Sequence, residues 1–315
     1  MPVASVRIQE PKVNSEYLRR VDRVIDYLRV NLHRSVKLKE LARIACFSEF
    51  HFHRVFGAVA GETLNNFTTR LRLEKAARLL RFSRRSVTDI ALDCGFSSSA
   101  TFSRAFRIGY GTSPRQFRVS GEIKKSKIRK AINTGQEYVL PMSMEEKKAA
   151  FPVRLVDLPE RRVAYIRVTD AFDMDRVLAV FKTMIAWAKS QDIFSRGTLF
   201  GMTLDDPDVT PKHLYRYEVC LASSTPFECM EGMAKLKIPA MKYAATRVSG
   251  DIRMVATAWD YLIRNWLINS DYEPEHAPAL EIFLNKENAT DWSHFDLELC
   301  LPIRKLATAR SQFGP

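Results

Sequence analysis

Ile90-Ala91-Leu92-Asp93-Cys94-Gly95-Phe96-Ser97, followed by Ala100-Thr101-Phe102-Ser103-Arg104-Ala105-Phe106, decides how this 315-residue chain is to be read, because the chain already contains an earlier copy of it. That copy is Leu41-Ala42-Arg43-Ile44-Ala45-Cys46-Phe47-Ser48, followed by Phe50-His51-Phe52-His53-Arg54-Val55-Phe56. Ala42 aligns with Ala91 and Phe47 with Phe96 at an offset of 49, which becomes 50 for Phe52/Phe102, Arg54/Arg104 and Phe56/Phe106. A unit that recurs at a fixed spacing is an architectural element. Each copy reads as a helix, a turn and a second helix.

At about 100° per residue, Phe52, Val55, Phe56 and Val59 share one side of the second helix in the first copy, as do Phe102, Ala105, Phe106 and Gly109 in the second. These are the core faces. The opposite side carries Phe50, Arg54 and Gly57 flanked by His51 and His53, and in the second copy Ala100, Arg104 and Arg107 flanked by Thr101 and Ser103. Arginine near a helix N-terminus suits guanine edges in a major groove, and threonine or an aromatic ring suits a thymine methyl. An ordinary amphipathic surface helix accounts for one such pattern. Two copies, with Ser48 and Ser97 placed to cap the second helices and an outward Arg at the same position, point to a reader of double-stranded DNA.

Residues 15–120 resemble the DNA-binding domain of the AraC/XylS transcription regulators. The resemblance rests on Ile90-Ala91, Gly95-Phe96, Phe102-Ser103-Arg104, Phe106, Gly111, Ser113-Pro114 and Phe117-Arg118. It implies a long helix between the motifs, for which Thr63 to Ser83 has the length and pattern, with Leu64, Phe67, Leu71 and Leu79 along one side. It also implies base-facing positions at Phe50, His53 and Arg54, and at Ser99, Ala100, Thr101, Ser103 and Arg104, with RNA polymerase as a protein partner. Cys46 stands where the family usually has Gly, which costs more if the turn is left-handed. Before the first motif, Leu18, Val21, Ile25, Leu28 and Leu32 predict one supporting helix.

The charge is asymmetric. Residues 1–130 hold 27 Lys and Arg against 11 Asp and Glu, net +16, while residues 131–315 carry net −3. That is the footprint of a polyanion partner, with affinity falling steeply in salt. The outward helix faces lack the aromatic or leucine band of an interfacial helix, and no apolar run approaches a bilayer span, so the expectation is a cytoplasmic protein that binds no membrane. Five cysteines, odd in number and without paired zinc spacing, read as buried thiols. His51 and His53 are too close in sequence to share a helical face, so groove contact is expected of them, with no metal and no cofactor.

The second half alternates as strands do at Val163 to Val168, Tyr215 to Leu221, Tyr243 to Val248, Ala279 to Leu284 and Phe295 to Leu301, with helical patterns from Met174 to Gln191 and Met254 to Ile268. Ala164, Arg167 and Val168 recur as Ala244, Arg247 and Val248 at an offset of 80, and Trp187 recurs as Trp266 at 79. Two copies of a strand, helix and strand-pair unit predict a pseudo-symmetric α+β domain with a cleft between its halves. This half resembles the GyrI-like effector-binding domain, on Leu158-Pro159 with Val163-Ala164-Tyr165, Tyr215-Arg216-Tyr217-Glu218-Val219-Cys220, Ile238-Pro239 with Tyr243-Ala244, and Glu298-Leu299-Cys300-Leu301-Pro302-Ile303. Thr169-Asp170 departs from the Gly that relatives commonly have and that Gly250 supplies in the second repeat.

Glu298 sits on a strand otherwise lined by Phe295, Leu297, Leu299 and Leu301, so it projects to the other face and either meets solvent or enters the cleft. The resemblance implies the cleft, where a carboxylate beside Tyr165, Tyr217, Trp187 or Trp266 would favour a lipophilic cation. For Glu218 and Glu281 the reading is a solvated strand acid, and for the tryptophans core packing competes with a ligand platform. The expected whole is a multidomain chain: a tail over 1–14, an all-α DNA-binding domain with two helix-turn-helix motifs over 15–120, a linker over 121–150, and an α+β GyrI-like domain of two pseudo-symmetric repeats over 151–315. The expected function is a transcription regulator and activator, not an enzyme, sensing a small molecule in a multidrug or stress response as a monomer or dimer. The alternatives are a hydrolase pairing Glu298 with Tyr165 or Tyr217, and a second domain that serves only as a protein-interaction module.

Overall fold

A computed structural model of the chain describes residues 15–120, 138–203, 205, 210 and 212–306. The 1–14 tail and the basic run from Lys124 to Lys130 lie outside the described residues. The chain forms two compact units, residues 1–68 and 69–315. The division falls inside one helix, Leu64–Phe82.

In the first unit α1 (Ser15–Val30) packs on α2 (Leu38–Ile44) and α3 (Glu49–Ala60). Val21, Val24, Ile25 and Leu28 are buried at the i, i+3, i+4, i+7 spacing of a core stripe. Leu18, expected on that stripe, is exposed. Tyr17, one turn before Val21, takes the inward position and meets the Phe47 ring edge-on at 5.5 Å. Between α2 and α3 the backbone of Cys46 is left-handed, with φ of +54°, and Gly95 has φ of +79° at the equivalent point of the second motif. The unfavoured Cys46 conformation is thus imposed by the turn itself.

The helix α4 (Leu64–Phe82) follows, then α5 (Val87–Asp93), α6 (Ser99–Tyr110) and α7 (Pro114–Ser120). Phe102, Phe106, Tyr110 and Phe117 are buried against Leu80 and Ile90 as an aromatic cluster. Phe106 lies 4.6 Å from Tyr110 and 5.2 Å from Phe117. Ser48 caps α3 as expected, but the cap of α6 is Ser98, not Ser97. Ser98 Oγ accepts from Thr101 N, and the Thr101 hydroxyl accepts from Ser98 N, closing a capping box.

After the described chain resumes at Tyr138, α8 (Met144–Ala150) docks through Lys147 Nζ, 3.0 Å from Asp260 Oδ2. The α/β part then runs β1 (Arg154–Leu158), β2 (Arg161–Thr169), α9 (Met174–Ser190), β3 (Thr198–Thr203), β4 (Arg216–Ala222), β5 (Ala234–Ile238), β6 (Met241–Gly250), α10 (Ile252–Tyr261), β7 (Tyr272–Pro274), β8 (Ala279–Phe283) and β9 (Phe295–Lys305). The helical pattern expected to reach Ile268 does so by widening into a π-turn at Leu262–Trp266 and tightening at Leu267–Asn269.

The strands pair antiparallel in the order β1-β6-β9-β8-β3-β4-β2-β5, with β7 on β9. Read from the β3/β8 seam outward, β3-β4-β2-β5 mirrors β8-β9-β6-β1, so the repeat legible at an offset of 80 is a structural duplication. The leading strands are exchanged. β1 precedes β2 but pairs with β6, and β5 precedes β6 but pairs with β2. Asp170, just after β2, and Gly250, the last residue of β6, both have positive φ, +53° and +149°. The departure noticed in the sequence is therefore a left-handed aspartate in a position of the same kind.

Replacing Cys46 by Gly removes a Cβ from a left-handed residue, so Cys46→Gly is expected to stabilise the fold by about 1 kcal/mol. Chemical denaturation checks this, and a destabilisation would contradict it.

Candidate nucleic-acid interface and effector cavity

On α3, Phe52 and Phe56 are fully buried while His51, His53 and Arg54 are exposed. On α6, Phe102 and Phe106 are fully buried, Ala100, Thr101, Arg104 and Arg107 are exposed, and Ser99 and Ser103 are half-buried. The helical period thus separates the two faces as the sequence predicts, although the side chain of Phe50 lies outside the described residues. His51 is also part of local packing, its ring 5.1 Å from Phe47. Thr101 has its hydroxyl committed to Ser98, donating to the carbonyl at 2.8 Å, which leaves its methyl for an external contact. Among the described residues no helix is long and apolar enough to cross a membrane, and no three His, Cys, Asp or Glu side chains converge as metal ligands do.

The second site is a cavity of about 500 Å³ in the unit formed by residues 69–315. Its walls are Val177 and Phe181 of α9, Val255 and Trp259 of α10, and strand residues that include Tyr217, Phe283 and Leu297. Glu281, on β8, is the acid beneath this apolar lining. Its carboxylate accepts from Tyr217 Oη at 2.7 Å and from Trp259 Nε1 at 2.9 Å. Among the described residues no Lys or Arg pairs with Glu281. Its side chain is half-buried, with its open side toward the cavity. Burial raises its pKa above the ordinary 4.5, and the bonds from Tyr217 and Trp259, which act the other way, do not cancel that effect.

A backbone register places these groups. Gly201 of β3 pairs with Glu281, and Thr203 with Tyr217. A Cβ on Gly201 would stand 1.6 Å from the Tyr217 hydroxyl, so the absent side chain is what lets the tyrosine lie across the seam onto Glu281.

Only Tyr217, of the five effector residues expected from the sequence, lines the cavity. Glu298 is on the other face of the sheet. It pairs with Ile282 across β8/β9, while Glu281 pairs with Leu299, so strand alternation sends the two acids to opposite sides. There Glu298 is held by Arg154 and by Arg247 Nε at 3.4 Å. Tyr165 lies in the core of that same opposite face with Phe200 and Cys220. Trp187 is buried and donates to the Glu228 carbonyl at 3.1 Å, and Trp266 stacks on Tyr272. Both serve packing. The sequence reading sought the cleft on the Glu298 side of β9, whereas Leu297 and Leu301 on the apolar side line the cavity. Glu218 is neither solvated nor in the cavity, for it is buried against Arg167, its cross-strand neighbour. Glu281, read from the sequence as a solvated strand acid, lies instead at the cavity, and Trp259 and Trp292 were the lining residues missed. Alternation along β8 puts Glu281 on one face with Ala279 and Phe283, but only the register with β9 shows that this is the face opposite Glu298.

Comparison with known proteins accords with this two-part organisation. Residues 41–120 match the helix-turn-helix domain family, and residues 151–304 match the GyrI-like small molecule binding domain. A probable transcription factor, PqrA of Proteus vulgaris, is 36% identical over 103 residues, 32% of this chain and 84% of its own length. The chain belongs to the AraC-type transcription regulators. A helix-turn-helix transcriptional regulator of Staphylococcus aureus strain MRSA252 is 34% identical over 99 residues, 31% of this AraC-type chain, which spans only 13% of that protein. The solved AraC-type regulator from Chromobacterium violaceum is 25% identical, with a TM-score of 0.32, and covers 34% of this chain and 95% of its own. This AraC-type protein is therefore a DNA-binding transcription regulator with a GyrI-like small-molecule binding domain.

Two outcomes follow from the cavity. A group whose folded-state pKa is raised contributes stability that is full below its unfolded pKa and is lost as pH rises through the folded value. Glu281→Gln, which cannot ionise, is expected to melt above the unsubstituted protein at neutral pH, with the gap closing toward about pH 4. A gap independent of pH contradicts this. Gly201→Ala forces Tyr217 off Glu281 and is expected to cost about 2–4 kcal/mol, most of it recovered in a Tyr217→Ala background; a cost unchanged in that background would show the clash lies elsewhere.

Proposed function

We propose that residues 15–120 bind DNA by inserting α3 and α6 into successive major grooves, about 34 Å apart along a duplex. Arg54, Arg104 and Arg107 carry base recognition, and Thr101 offers its methyl group. The exposure of these side chains opposite a fully buried phenylalanine stripe is what supports this reading. One chain then reads a bipartite site without a palindrome. The surrounding positive charge supplies the phosphate contacts, and the protein acts as an activator in the cytoplasm through RNA polymerase.

The GyrI-like cavity takes a small lipophilic molecule that offers Glu281 a positive charge or strong hydrogen-bond donor. The observation that carries this is a carboxylate held by Tyr217 and Trp259 under an apolar lining without a cationic partner among the described residues. A buried acid in that state is costly. A ligand cation recovers part of the cost, with aromatic faces adding to the attraction.

Selection of bound sequences from random duplexes, with and without dodecyltrimethylammonium, tests both halves of the proposal. Arg54→Ala or Arg104→Ala is expected to cost about 1–3 kcal/mol on the selected site and to relax preference at one base pair. Equal losses on selected and random DNA contradict base reading. In the same assay Glu281→Gln is expected to remove the response to the cation while leaving DNA binding in its absence unchanged.

A further inference from the structure

The cavity has one wall that does not come from the GyrI-like part. Phe82, the last residue of α4, lines it together with Val177 and Phe181 of α9 and Trp259 of α10. Its ring is half-buried and packs against the apolar cluster that holds Leu262 and Leu301. Further back on the helix the Thr210 hydroxyl donates to buried Glu74 at 2.9 Å, a contact that docks α4 through groups outside the cavity lining. The other side of the same helix carries the second helix-turn-helix motif. Leu79 and Leu80 are buried with Ile90, Phe102 and Phe106. Lys75 Nζ donates to the Asp93 carbonyl at 3.0 Å, tying the end of α5 to α4, and Arg118 of α7 donates to the Leu80 carbonyl at 3.4 Å. The cavity and α6 are thus separated by the thickness of one helix, about 10 Å.

Phe82 also has a place relative to the acid. Glu281 pairs with Leu299, and Leu301 lies two residues further along β9, about 7 Å away at the rise of a strand. Arg81 already lies over the Phe82 ring, 5.2 Å from its centroid, so Phe82 offers an incoming molecule apolar surface rather than a second cation site. A cationic head therefore goes to Glu281, and the apolar end of the molecule extends toward Phe82.

We infer that Phe82 is an effector-contact residue that receives the apolar end of a cation whose head lies at Glu281, so that ligand length is sensed by the helix carrying the second DNA-reading motif. This rests on the effector-cavity reading above and adds to it the wall that selects for size. A molecule too short for Phe82 leaves α4 untouched, one that fills the space packs on the ring and favours the docked helix, and one too long displaces it. A ligand shifts an arrangement only by binding its alternatives unequally, and contact with Phe82 is where that inequality arises. Ligand and DNA then change each other's affinity by the same factor.

The test uses the full chain with decyltrimethylammonium and tetradecyltrimethylammonium, each below its micelle concentration and measured by calorimetry. Their common head makes the ratio of the two affinities report on the tail alone. Phe82→Ala opens the wall and is expected to move that ratio toward the longer probe, and Phe82→Trp to move it toward the shorter one, with about tenfold or more between the two variants. Phe82→Leu, which keeps an apolar group against Leu262 and Leu301, is expected to fall between Phe82→Ala and the unsubstituted protein. Shifts of opposite sign are a result that misfolding does not produce. A duplex recovered by the selection above is expected to change the affinity for the tetradecyl probe, and Phe82→Ala to bring that factor toward one. A ratio unchanged across the three variants overturns the contact while leaving the cavity reading intact. A factor of one in the unsubstituted protein, or a factor that Phe82→Ala leaves unmoved, overturns the route through α4. Failure of the unsubstituted protein to bind either probe overturns the cavity reading and the contact with it.

Discussion

The pairing of β3 with β8 joins two copies of one motif, and the cavity depends on that join. Gly201, Glu281 and Tyr217 come from three different strands, and only the seam register brings them to one place. The seam is also where α9 and α10, one from each copy, approach the same face of the sheet, leaving space between them that neither copy encloses alone. The acid is held in that space by two neutral donors rather than by a cation. A buried carboxylate held this way remains available to an incoming group, whereas one locked to an arginine, as Glu218 is to Arg167, does not.

Much of this was legible in the chain. The helix-turn-helix pairs, the long helix between them, the five longest-patterned strands and the duplication in the second half all appear where periodicity places them, because each rests on a local pattern of apolar residues. Four strands were missed. β7 is three residues long and β3 is buried nearly throughout, so neither shows a two-residue alternation; β1 and β5 are five-residue stretches with few buried side chains, too short to stand out although Ala234-Lys235-Leu236-Lys237-Ile238 does alternate. The α6 cap slipped by one residue because Ser97, Ser98 and Ser99 offer the same chemistry and only the backbone dihedrals distinguish them.

The candidate effector site was less legible for a different reason. Periodicity tells which residues share a face of a strand but not which face is covered by a helix and which encloses a cavity. Glu298 and Glu281 both interrupt apolar strands, and their different fates follow from a cross-strand register that sequence does not encode locally. Trp259 and Trp292, rather than Trp187 and Trp266, line the cavity: the rotation of α10 about its axis, fixed by packing against the sheet, turns Trp259 inward, and Trp292 comes from the turn before β9.

The exchange of leading strands bears on how the second half is made. Arg154 of β1 finds its partner in Ala245, and β5, made just before β6, returns to β2. A chain emerging from the ribosome therefore carries β1 unpaired for roughly ninety residues, a high contact order that slows the search and leaves a strand edge open to other chains. Neither copy completes its sheet until both have been synthesised. The domain is in this sense an obligate intramolecular dimer, and a nascent chain gains its cavity late and all at once.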